Sequence, residues 1–68
     1  MNGYNLLVVS SVGFRDGMAL ELAADDGAQI AEVFEDDTTK ARTVRFFVDT
    51  PVPLEIVEWL LRRAEVLL

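Results

Sequence analysis

The chain has 68 residues, a net charge of −6 at neutral pH, and neither cysteine nor histidine. That composition excludes a disulfide scaffold and removes the side chains on which zinc, copper and haem sites usually depend. Its acidic balance opposes binding to nucleic-acid backbone or anionic lipid.

An apolar fraction of 51% beside a charged fraction of 26% marks a globular chain rather than a disordered one. A domain this short buries only about 60% of the surface it exposes when unfolded. With disulfides and these metals set aside, a second subunit is the expected supplement to its stability. Residues 4–14 are apolar, but no basic residue precedes them, no small-residue cleavage site clearly follows, and the run is too short to span a bilayer. A cytoplasmic home is the expectation.

In chain order, the first element is a strand over 4–14, rich in β-branched and aromatic residues. Tyr4, Leu6, Val8, Val12 and Phe14 point one way, Leu7 and Val9 the other, so neither face is polar. Such a strand calls for cover on both sides. Arg15-Asp16-Gly17 reads as a turn in which glycine supplies the positive φ of a tight hairpin.

The second strand, 18–24, alternates with Met18, Leu20 and Leu22 inward and Ala19, Glu21 and Ala23 outward. Asp25-Asp26-Gly27 repeats the turn chemistry. The third strand, 28–35, carries Ile30, Val33 and Phe34, which do not share one parity. A bulge, or cover on two faces, accounts for the mismatch.

A polar connection without glycine follows, and the fourth strand, 43–49, has Val44, Phe46 and Val48 inward, with Arg45, Phe47 and Asp49 outward. Thr50-Pro51-Val52-Pro53 breaks the chain, and a helix is expected over 53–68 with Pro53 at its first helical position. Glu55 and Glu58 near its start, and Arg62 and Arg63 towards its end, suit the helix dipole. The predicted fold is α+β: one small domain, 1–68, in which a four-stranded antiparallel meander carries one C-terminal helix on one face, a two-layer sandwich.

That helix holds more apolar surface than a short sheet needs. Leu54, Ile56, Val57, Leu60, Leu61, Ala64, Leu67 and Leu68 fill an arc of roughly 160°, against about 100° for an ordinary surface helix. Leu54, Val57, Leu61, Ala64 and Leu68 suffice to cover the sheet, leaving Ile56, Leu60 and Leu67 on one margin as candidate interface. A broad stripe that merely compensates for small size is the competing reading.

Trp59 and Val66 lie beyond the arc, where Trp59 is either roofed by Arg62 or Arg63 or is an interface anchor. On the far face of the sheet, Phe47, Leu7 and Val9 beside Ala19 and Ala23 form a second candidate patch.

Asp25-Asp26 and Glu35-Asp36-Asp37 lack the spacing of a calcium loop and fit turn chemistry and cross-hairpin ion pairs instead. No histidine is present to activate Ser10 or Ser11, and there is no glycine-rich phosphate loop. The sequence therefore predicts no catalytic residue, no cofactor and no metal site. It points to a protein–protein interaction module, a homodimer in the first instance, with a basic-surfaced protein as a possible partner and no nucleic acid or membrane. The alternative role is an acidic inhibitor or immunity-type protein masking a basic nuclease or nucleic-acid-binding site, which requires the acidic clusters to share one face.

Overall fold

A computed structural model gives an antiparallel sheet of β1 (Tyr4–Ser11), β2 (Gly17–Ala24), β3 (Gln29–Asp36) and β4 (Arg42–Phe46), in the spatial order β1-β2-β3-β4, followed by α1 (Leu54–Leu67). The structure describes residues 1–11 and 16–68. The expected extension of the first strand through Val12 and Phe14, and Arg15 of the first turn, lie outside the described residues. The α+β meander with one helix on one face is the fold the alternation predicts.

Alternation selects the helix-side face. Leu6 lies opposite Leu22 and Val8 opposite Leu20, while Leu20 and Leu22 lie opposite Val33 and Ala31. The helix rests over β2 and β3, where Leu20, Leu22, Ala31, Val33, Ile56, Leu60 and Ala64 form the core. Between Leu22 and Ala23 the register shifts, leaving Ile30 as the extra residue on β3. Ile30 thereby packs against the core together with Ala31, which resolves the parity mismatch as a bulge. Phe34 keeps the opposite parity and is also buried, on the other face.

Turn chemistry sets the hairpin ends. Gly27 takes φ +93°, its N–H donates to the Ala24 carbonyl, and the Asp26 Oδ1 accepts from the Ala28 N–H at 2.9 Å. In the β3–β4 connection the Asp36 Oδ1 accepts from the N–H groups of Thr38 and Thr39 at 2.8 and 2.9 Å. Lys40, at φ +63°, takes the left-handed position that no glycine is present to fill. The backbone donors of Thr39 and Thr38 hold the Asp36 carboxyl below its ordinary pKa, because they favour the charged form.

A carboxylate whose pKa is lowered on folding adds stability above its unfolded value near 3.8 and loses it as pH falls through the lower, folded value. Asp36→Asn should therefore flatten the acid limb of the stability curve below about pH 4. Urea titrations of the variant and the parent at pH 2.5–5 test this, and parallel acid limbs would remove the role given to Asp36.

Four expectations need correction. The fourth strand ends at Phe46, not Asp49: the Phe47 N–H donates to the Ile30 carbonyl at 2.8 Å in the register of the Ala31–Phe46 pair, and Asp49 would fall opposite Ala28, beyond the start of β3 at Gln29. Pro53 is the N-cap, not the first helical residue. Its ψ of 134° is extended, while its carbonyl accepts from Ile56 and Val57. The dipole reading is half met, with Glu55 in the first turn and no basic residue in the last.

Gly17 opens β2 without a positive φ. Glycine is required there for space: a Cβ would run into the Glu35 carbonyl oxygen and stand 2.6 Å from the Phe34 Cζ. The Phe34 ring thus lies across the bare Gly17 backbone, and that contact helps bury it.

Candidate functional site

The structure redistributes the candidate residues. Ile56 and Leu60 are buried at 4% and 0% exposure, so they are core and not a free margin. The expected cover residues Leu54 and Leu61 are exposed instead. The helix is turned so that Ile56, Leu60 and Ala64 face the sheet, which moves the apolar surplus to both flanks of α1. On one flank, Leu61 and Ala64 join Val33, Val44, Arg42, Thr43 and Glu65 around a groove of about 330 Å³ that overlooks β4.

At 100° per residue, Trp59 and Val66 lie about 160° and 140° around the helix from Leu61, on the flank directed towards β1. Trp59 is partly buried against the core, Val66 is exposed, and Leu67 is exposed at 38%.

Val44 and Phe46 belong to the helix-side face, yet both stay wet, because a single helix centred on β2 and β3 does not reach the β4 edge. No sequence signal separates them from core residues of the same parity.

The far face does not form one patch. Phe47 and Leu7 are exposed and Val9 is partly buried, but β1 and β4 are opposite edges of the sheet. The row through Leu7 continues as Glu21, Glu32 and Arg45, placing charged side chains between the two apolar edges. Ala19 is buried rather than part of an open surface.

The acidic clusters are divided as well. Asp25 and Asp26 sit in the β2–β3 turn and Asp36 and Asp37 at the other end of β3, about 25 Å away at roughly 3.3 Å per residue. Glu35 is engaged with Arg42 Nε at 2.7 Å, a half-exposed pair worth about 0.2–1 kcal/mol. Among the described residues, no group of three or more acidic side chains is placed to hold a metal ion, and no helix is long and apolar enough to cross a membrane.

Among the described residues the sheet has no further strand on β1 or β4, and the ladder fixes which groups each edge presents. Asp25 N–H donates to the Gly3 carbonyl at 2.9 Å, which directs the N–H and C=O groups of Asn5, Leu7 and Val9 towards β2 and those of Leu6, Val8 and Ser10 outward. Asp36 N–H donates to the Ala41 carbonyl, so on β4 the outward set is Arg42, Val44 and Phe46.

The two edges differ chemically. β1 runs eight residues as YNLLVVSS without a charge, proline or glycine, and Leu7 is 60% exposed. β4 runs five residues, holds Arg42 and Arg45, and is followed by Pro51 and Pro53. Natural sheets guard their edges with short strands, charges and prolines, so β4 is guarded and β1 is open. Compared with protein-family models, curated proteins and solved structures, the chain matches none.

Proposed function

We propose that the chain is a non-enzymatic protein–protein interaction module that associates with a second copy of itself. The observation that carries this reading is the uncharged, unguarded β1 edge on a domain too small to bury a large core. An open strand of that composition is a template for pairing with another chain. The acidic-inhibitor reading required one acidic face, and the placement of Asp25 and Asp26 at one end of the sheet with Asp36 and Asp37 at the other leaves it without that support.

Two chains of net charge −6 repel at long range, and salt screens that repulsion while leaving apolar burial intact. Association should therefore tighten between about 0.01 and 0.15 M salt, where the screening length falls from roughly 30 to 8 Å. Light scattering behind size exclusion across micromolar concentrations is expected to give the dimer mass, with more dimer at the higher salt. A monomer mass throughout would reject the reading.

A further inference from the structure

We infer that the second copy docks edge to edge on β1, antiparallel about a two-fold axis at Leu7, so that the two sheets become one. This rests on the self-association reading above and names its surface and register. The outward-directed backbone groups of Leu6 and Val8 meet those of Val8 and Leu6 in the second copy. The Tyr4 carbonyl takes the Ser10 N–H, as the Tyr4 N–H is held by the Met1 carbonyl.

Leu7 then faces its own counterpart as a non-hydrogen-bonded pair, with Cα atoms about 4.5 Å apart, the closer of the two antiparallel spacings. Its 60% exposure is what such a pair would cover. On the helix side, Leu6 and Val8 form an apolar row across the junction, and the α1 flank bearing Trp59 and Val66 is directed towards it.

Local charge permits a second copy at this edge. No carboxylate side chain occurs before Asp16, so the strands meet without apposed acids. On the row through Leu7 the first is Glu21, on β2. Across the junction, the two Glu21 rows stand three strand spacings apart, about 14 Å, beyond the screening length of roughly 8 Å at physiological salt. β4 offers a shorter outward row, carries Arg42 and Arg45, and leads into prolines that cannot donate to a ladder.

The chain has no cysteine, so single substitutions report the register directly. Leu7→Cys should cross-link to its counterpart under mild oxidation, because a separation of about 4.5 Å lies within disulfide reach. Val44→Cys, at the middle of the other edge strand, should stay reduced. Leu7→Lys sets two ammonium groups opposite each other and should weaken association at least about tenfold. Because Leu7 is exposed, it should leave the monomer folded by circular dichroism.

A dimer mass with Val44→Cys cross-linking instead of Leu7→Cys, or a dimer indifferent to Leu7→Lys, overturns the β1 inference and leaves the module reading standing. A wild-type chain that is monomeric at every concentration overturns both.

Discussion

Leu60→Ala is expected to lower the unfolding free energy by about 3 kcal/mol, within the range of roughly 2–5 kcal/mol for leucine truncations that leave a cavity. Leu60 is fully buried, between Ile56 and Ala64 on the α1 face turned to the sheet. Native domains hold only about 5–15 kcal/mol in total, and one of this size belongs towards the low end, so the loss takes much of the stability. Leu61→Ala, one residue on and exposed, should cost less than about 1 kcal/mol, as it removes little buried surface. Urea denaturation at one fixed protein concentration compares the two without a shift from association. If Leu61→Ala proved the more damaging, the helix would be seated the other way round.

Gly17→Ala is expected to cost about 3 kcal/mol, at the upper end of overpacking penalties. The added methyl meets the Glu35 carbonyl oxygen, which is backbone and moves only with β3, and the edge of the Phe34 ring. Gly17→Asn separates this account from the turn account. Asparagine tolerates positive φ, so a turn glycine would accept it at small cost. A position limited by space must reject asparagine at least as strongly as alanine. Urea midpoints for the two variants decide, and tolerance of asparagine alone would contradict the crowding at Phe34.

The sequence carried the strands, the turns and the meander because period-two alternation and Asp-Asp-Gly chemistry are local signals. The parity mismatch of Ile30 and Phe34 with Val33 was legible as a bulge or as cover on two faces, and the structure has both, a bulge that turns Ile30 to the core and Phe34 buried on the far face. Which residues of α1 form the core was not legible. An apolar arc of about 160° tolerates several rotations about the helix axis, and the choice of Ile56, Leu60 and Ala64 over Leu54 and Leu61 is made by where the helix lands on β2 and β3.

The same tertiary fact leaves Val44 and Phe46 exposed despite their inward parity. Gly17 was misread because Asp-Gly is a turn signal wherever it occurs, while the demand for space comes from Phe34 on a neighbouring strand. For the interface, Leu7 and Val9 were visible as apolar residues without a polar face beside them. Which backbone groups of β1 face outward for the proposed pairing required the ladder itself.

Residue-resolved amide exchange at concentrations where association is complete reads the proposed junction itself, because two copies paired along β1 share backbone hydrogen bonds there. In the isolated sheet, Leu7 and Val9 are protected by β2, while Leu6, Val8 and Ser10 face solvent and exchange fast. Leu6, Val8 and Ser10 are expected to become protected as concentration rises, while Val44 and Phe46 on β4 keep exchanging. Persistent alternation along β1, or protection gained at Val44 and Phe46 instead, would contradict that pairing.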